Sequence, residues 1–351
     1  MAGFSQTVAR AWSQERLLTV LFELTYNCNL DCFFCYNDTN LKGKELDFAD
    51  YERILVGLKD LGCFTLILSG GEPLSSKHFW KVGKLANEMN FSVRIKSNGH
   101  SVNEKIALRI KEEINPYIVE VSLHGGTPAT HDKQTRLNGS FKRLIENLAS
   151  MKKAGLRVKI NSTLTRYNEN EIALMYSLVD RLGIPLRFDP EVTAKDDGDQ
   201  SPLSISPSSE GLANLLKIEQ NRVEQSHPKE VAQPPMYPKT DRHCGAGSST
   251  MILDPFGNVY PCVQWREKIG NLHNSSVEDI WTGNAVRGIR DENKKVKEWI
   301  DNLDESERPI NFCPGVAKEK TGTTTQISLS SKHRDDVFRS KNKKSLTVIH
   351  P

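Results

Sequence analysis

Three cysteines fall within eight residues in the run Cys28-Asn-Leu-Asp-Cys32-Phe-Phe-Cys35. The run follows a predicted strand, LTVLFELTY, so its thiols stand at that strand's C-terminal end. Three thiolates on one short loop can ligate three irons of a cubane and leave the fourth iron open to another ligand. Structural zinc is the alternative, but zinc sites mostly pair two cysteine or histidine hooks to reach four ligands, and no fourth donor stands near this loop. The next predicted strand ends in Ser69-Gly70-Gly71-Glu72-Pro73. Its two glycines let the backbone approach a ligand closely, and Glu72 offers an anion to an ammonium group.

A second set of cysteines lies far along the chain. It comprises His243-Cys244-Gly245-Ala246-Gly247, then Asp254-Pro255-Phe256-Gly257-Asn258-Val259-Tyr260-Pro261-Cys262, then Phe312-Cys313-Pro314-Gly315. Gly257-Asn258 suits a tight hairpin turn that returns Cys262 to the side of Cys244. Cys63, with apolar neighbours after a predicted helix, reads as a small buried hydrophobe.

The elements that must hold these residues are legible from periodicity. Six strands, LTVLFELTY, FTLILSG, FSVRIKSNG, YIVEVSLHG, LRVKINSTL and PLRFDPEV, alternate with amphipathic helices such as 47 to 61 and 141 to 154. This is the pattern of an α/β fold with a parallel sheet, here a partial (β/α)6 TIM-type barrel. Successive strand residues point to opposite faces. One face collects apolar side chains, including Phe22, Leu68, Ile95, Val121 and Ile160, and belongs under the helices. The other collects Glu23, Ser69, Arg94, Lys96, Asn98, Glu120, Ser122, His124, Lys159, Asn161, Arg187 and Asp189. A barrel packed solid carries branched apolar residues inside, so this polar face predicts a lumen for a polar ligand. Asp189 and Lys96 are the candidate catalytic groups, for substrate contact or proton removal, with Arg187 and Lys159 beside them.

Taken together, the cysteine loop and the Gly-Gly-Glu strand end one βα unit later resemble the radical S-adenosylmethionine superfamily. The resemblance covers residues 19 to about 190. It implies a [4Fe-4S] cluster on Cys28, Cys32 and Cys35, with the open iron chelating the amino and carboxylate groups of S-adenosylmethionine. It also implies that Gly70, Gly71 and Glu72 serve the amino group, that Phe34 lies against the adenine, and that Asn98, Ser122 and Asn161 are polar contacts to the cofactor. Arg136 resembles the arginine that pairs with the cofactor carboxylate. His124 stands where many relatives carry an acidic residue.

The second cysteine set resembles the start of a SPASM or Twitch auxiliary-cluster extension, and Gly270-Asn271-Leu272 followed by Val277-Glu278-Asp279-Ile280-Trp281 continues the match. Full SPASM modules carry seven cysteines. Here Cys244, Cys262 and Cys313 suffice for one second [4Fe-4S] cluster lacking a fourth protein ligand, a place open to His243, Asp254, water or substrate. Zinc with His243, or no metal, are the alternatives.

Composition sets the remaining expectations. The chain has 351 residues, 37% of them hydrophobic, with no export signal and no stretch near the roughly 18 apolar residues that span a bilayer. A cytoplasmic protein acting without a membrane is expected. The formal charge is +3, with eight Lys or Arg against three Asp or Glu between 316 and 351. No nucleic-acid groove is therefore read in the body. The expected divisions are an N-terminal extension (1–17), the barrel (18–192), a linker with a helix (193–240), the auxiliary module (241–315) and a basic, solvated tail (316–351). Relatives with this auxiliary module mostly modify peptides, so a peptide substrate is expected, with small-molecule oxidation or rearrangement second. A passive zinc or electron-transfer protein is the remote alternative. Too few residues precede Cys28 for a winged-helix peptide-binding domain, which suggests a separate leader-binding partner, and the reductant would be a flavodoxin or ferredoxin.

Overall fold

Apolar residues at every second position place each predicted strand with one face against helices. The computed structural model describes residues 2–38, 40–226, 240–310 and 312–341. A helix, α1 (Ala2–Ser13), precedes six strands: β1 (Thr19–Glu23), β2 (Thr65–Ser69), β3 (Ser92–Ser97), β4 (Ile118–Ser122), β5 (Val158–Thr163) and β6 (Leu186–Asp189). Between them run α2 (Phe48–Asp60), α3 (Phe79–Glu88), α4 (Glu104–Arg109), α5 (Pro128–Thr135), α6 (Ser140–Lys153) and α7 (Ile172–Leu182). Asp47 and Asp50 form a reciprocal cap that starts α2, satisfying amides that the first turn leaves open.

All six strands pair in parallel, in the order β6-β5-β4-β3-β2-β1. Leu66, Leu68, Ile95, Val119, Val121 and Ile160 are fully buried on the helix side. Each such side chain contributes roughly 1.5–3 kcal/mol of burial. They meet Ile54, Leu55, Leu58, Val82, Leu144 and Leu148 of the helices in one continuous core.

After α8 (Ser209–Ser226) come β7 (Thr250–Leu253), β8 (Asn258–Tyr260) and β9 (Gly270–Asn271), then α9 (Val277–Thr282), α10 (Asn284–Asp301), α11 (Pro314–Thr321) and α12 (Leu329–Lys341). The expected hairpin is present, with Gly257 in the left-handed region at φ 78°. Its first strand does more than build a hairpin: β7 lies parallel to β1, Thr19 opposite Thr250 through Phe22 opposite Leu253. The auxiliary segment thus supplies a seventh parallel strand to the barrel sheet, and β1 is covered on both edges. A short apolar contact of Leu21, Ile67 and Ile252 marks the join on the inner face.

The segments read as extension, linker and tail are docked wherever they are described. Glu15 after α1 takes ion pairs from Arg242 and Arg290, and its carbonyl accepts the Trp281 indole at 2.8 Å. In the linker, Pro202 and Ile205 are buried, and the Asp196 amide donates to the Tyr36 carbonyl at 2.8 Å. The tail corrects its solvated reading. Helix α12 packs on α8, and Lys320 and Arg334 both pair with Glu191 beyond β6. Too few apolar residues mark this helix in sequence; buried ion pairs hold it instead. The proline-rich break at 227–239 and residues 342–351 lie outside the described residues.

Candidate functional site

The cysteine loop is held at both ends by backbone bonds. At its base the Gly71 amide donates to the Thr25 carbonyl at 2.7 Å, and the Glu72 amide to that of Asn27 at 2.9 Å. Such contact demands glycine. A Cβ on Gly70, whose φ is 134°, would sit 2.3 Å from the Thr25 oxygen, and one on Gly71 2.6 Å from the Asn27 oxygen. The glycine pair therefore seats the cysteine loop, besides lining the cavity described below. At the far side, the Phe33 amide donates to the Gln134 carbonyl at 3.1 Å.

Cys28, Cys32 and Cys35 all line one cavity of about 540 Å³ at the C-terminal ends of the strands. Burial raises the Cys32 pKa first, and the neighbouring Cys35 and Cys28 raise it further. Thiols so placed resist ionisation alone but are ionised by a bound metal centre, so the triplet fits an iron–sulfur cluster. Among the described residues no three His, Cys, Asp or Glu side chains close around a single metal ion.

The expected polar lumen is present. Phe34, Gly70, Gly71, Lys96, Asn98, Ser122, His124, Asn161 and Asp189 line the same cavity. Asn98 Nδ2 donates to Asn29 Oδ1 at 2.8 Å and approaches Cys28 Sγ at 3.7 Å. Phe34 packs on the His124 ring with centroids 4.3 Å apart, and burial drives His124 down to about 3, keeping the ring neutral. Asn161 donates to Glu120 at 2.8 Å. Burial would raise the Glu120 carboxyl, but the charges of Lys96 and Arg94 outweigh it and hold it below its ordinary value. Asp189 is reached by water within the cavity yet enclosed by protein, and that enclosure raises its pKa.

Two expected cofactor contacts are placed elsewhere. Glu72 is 1% exposed and absent from the lining. Its oxygens accept from Ser97 Oγ at 2.9 Å, the Asn98 amide at 2.8 Å and the Leu74 amide at 3.2 Å. It joins the ends of β2 and β3 rather than presenting an anion to the lumen. Burial pushes its carboxyl up to about 7 against those donors. Arg136, also outside the lining, pairs with Asp31 at 2.6 Å and covers the Phe33 ring at 4.0 Å. It lies on the outside of the cysteine loop, with both charges of the pair exposed.

The auxiliary thiols also converge: burial, then Cys262 and Cys244, push Cys313 up to about 12, and burial takes Cys244 to about 11. Asn293 of α10 organises them. It is fully buried, its Oδ1 accepts the His243 and Cys244 amides at 3.2 and 3.1 Å, and its Nδ2 donates to the Cys244 carbonyl at 2.9 Å and approaches Cys244 Sγ at 3.4 Å. Gly315 allows the Cys313 loop to lie on Gln264, whose carbonyl would be 2.2 Å from an added Cβ. Of the fourth donors considered, Asp254 is engaged, accepting from Phe256, Asn258 and Tyr260 to cap the β7–β8 turn. His243 Nε2 bonds the Phe312 carbonyl at 2.9 Å.

Two residues escaped the sequence reading. Asn293 falls on the buried stripe of α10 with Val286, Ile289, Arg290 and Val296, and a polar residue in a helical apolar stripe was the available signal. Arg266 binds Glu23 of β1 in bidentate fashion at 2.6 and 3.0 Å and Asp196 at 3.1 Å. No local pattern announces that triad, because its members are far apart in sequence.

A parallel α/β barrel with a cysteine-lined cavity at its strand ends defines a cofactor-dependent enzyme class, and comparison with known proteins agrees. Residues 22–179 match the Radical SAM superfamily, and residues 244–302 match SPASM, an iron-sulfur cluster-binding domain. The chain belongs to the radical SAM superfamily and carries a SPASM domain; its cofactors are a [4Fe-4S] cluster and S-adenosylmethionine, with auxiliary iron–sulfur binding. Cys313 lies beyond the matched SPASM residues. Mycofactocin maturase MftC of Mycobacterium ulcerans is 26% identical over 75% of this chain and 74% of its own length. The AdoMet-dependent heme synthase of Methanosarcina barkeri is 23% identical, covering 78% and 84%. The PqqA peptide cyclase of Ruegeria pomeroyi is 26% identical, covering 77% and 76%. The fold is shared with native anSMEcpe with bound AdoMet, at a TM-score of 0.69 and 16% identity over 92% of this chain and 96% of that one. Among the described residues no helix is long and apolar enough to cross a membrane.

Proposed function

We propose that this radical SAM enzyme modifies a peptide, with Cys28, Cys32 and Cys35 holding the catalytic [4Fe-4S] cluster and Cys244, Cys262 and Cys313 a second one. The observation that carries the site assignment is convergence: the first cysteine triplet, the glycine pair and the polar ends of β3, β4, β5 and β6 face one 540 Å³ cavity. When bound, the reduced cluster and S-adenosylmethionine supply a 5′-deoxyadenosyl radical. The chain's own residues do the rest. Phe34 offers a ring face to the adenine, while Asn98, Ser122 and Asn161 direct polar groups toward the cofactor. Asp189, whose pKa burial raises, and Lys96 are the groups for proton transfer to or from the substrate. A flavodoxin or ferredoxin would deliver the electron, and a separate leader-binding protein could present the peptide.

A peptide reading is supported by the relative named PqqA peptide cyclase and by a second, larger cleft of about 780 Å³ that adjoins the cysteine cavity across shared side chains. A small-molecule reading is favoured by a different observation. Arg94, Lys96, Lys159 and Arg187 bring four cations to the lumen, a lining suited to carboxylates, and a heme synthase is among the relatives. Anaerobic reconstitution with iron and sulfide, reduction and addition of S-adenosylmethionine tests the enzyme claim. Deoxyadenosine forms in the wild type and not in Cys32→Ala; absence from both would sink it. Iron near eight per chain is expected, against about four for a single cluster.

A further inference from the structure

Among the described residues the barrel does not close. In the sheet order β6 stands at one end, and among the described residues it pairs only with β5. The Pro185 and Asp189 carbonyls accept the Ile160 and Leu164 amides at 2.8 and 2.7 Å. Parallel pairing alternates, so residues 185, 187 and 189 turn their backbone groups to β5, while Leu186 and Phe188 turn theirs outward. Pro190 then ends the edge, having no amide to offer.

The 780 Å³ cleft runs along this edge. It is bordered by residues 185 to 191 and walled by Leu212, Leu216 and Val223 of α8, Phe338 of α12, and Phe312 and Val316 beside Cys313. Lys159, Arg187, Asp189, Glu191 and Gln264 line both this cleft and the cysteine cavity, so the two adjoin across these side chains. Helix α8 is anchored as a wall by Tyr176, whose hydroxyl donates to Glu219 at 3.1 Å, and by the Arg222–Asp180 pair at 2.8 Å.

We propose that the outer edge of β6 receives an extended substrate peptide as an added strand, feeding one of its side chains into the lumen. The inference rests on the peptide reading and specifies its docking mode. An open strand edge supplies main-chain bonds regardless of sequence, and alternate pockets supply selectivity. Strand alternation then gives a rule. The peptide residue on the side of Arg187 and Asp189 enters the lumen, and its two immediate neighbours lie against α8 and α12. The residue to be modified should therefore be flanked on both sides by apolar residues. A strand matching β6 spans about 13 Å.

The test uses a displayed library of random dodecapeptides panned on the reconstituted full-length enzyme. Enriched peptides should carry apolar residues at alternate positions. N-methylation of the alternate amides that face β6 should weaken binding at least about tenfold, and methylation of the other set should leave it within about twofold. Val223→Arg, at an exposed position of the α8 wall, should weaken binding by a similar factor; its melting temperature and iron content report folding. Deuterium exchange should slow at Leu186 and Phe188. Peptides that bind with no alternation in methylation sensitivity, or protect other segments, overturn strand addition and leave the peptide reading standing. No enrichment above background overturns both.

Discussion

Cys28, Cys32 and Cys35 come from eight consecutive residues, whereas Cys244, Cys262 and Cys313 are gathered across seventy. The first triplet sits on a loop at the mouth of the lumen, with Cys28 exposed. Its supports are main-chain bonds from two other βα units: the glycine pair beneath and the end of α5 beside it. The second is walled in by a hairpin, α10 and the Cys313 loop, and an asparagine at the centre touches the chain on both sides of Cys244. Both sites have an asparagine directed at a cysteine sulfur, Asn98 at 3.7 Å from Cys28 and Asn293 at 3.4 Å from Cys244. One is half-buried at a strand end and the other fully buried within the module. Both sites depend on tertiary contacts; the first takes its three cysteines from one loop, and the second gathers them from three separate segments.

The sharpest way to break this comparison is to remove one thiol from each triplet. Cys32→Ala should abolish deoxyadenosine formation, a loss of at least about a thousandfold, whereas Cys262→Ala should still form deoxyadenosine and lose turnover of substrate. Equal loss in both variants would erase the distinction. Next, Arg266→Gln strands Glu23, whose side chain is fully buried, and Asp196. Removing one partner of such a pair costs about 3–5 kcal/mol, and chemical denaturation should register it together with loosened auxiliary iron.

Asn293→Ala leaves the His243 and Cys244 amides without their acceptor. A destabilisation of about 2–3 kcal/mol is expected, with iron lost from the auxiliary site first; unchanged iron and stability would show that the asparagine is not the organiser. The smallest effect belongs to its counterpart. Asn98→Ala removes the acceptor of the His100 amide and should cost about 1 kcal/mol of stability, while S-adenosylmethionine binding, followed by calorimetry, weakens. A large stability loss there would mean that the first site too depends on deep packing.

Much of the first site was legible because its signals are close in sequence. The cysteine spacing, the glycine pair and the period-two alternation each occupy fewer than ten residues, and the polar strand faces do converge on one cavity. Glu72 and Arg136 were assigned the wrong surroundings for a physical reason. Residue type announces a charge, but the nearest partners decide where it points, and here those are Ser97 for Glu72 and Asp31 for Arg136. The tail was misread because α12 is held by Arg334 on Glu191, a contact spanning more than a hundred residues.

Alternation and loop spacing are properties of the chain alone, so the sequence by itself determined the parallel sheet, its polar face and the nearness of Cys28, Cys32 and Cys35 to one another. Only the tertiary structure decided that β7 joins the barrel beside β1 and that, among the described residues, β6 pairs on one edge alone. Strand order is a matter of which edges meet, and no local preference encodes it.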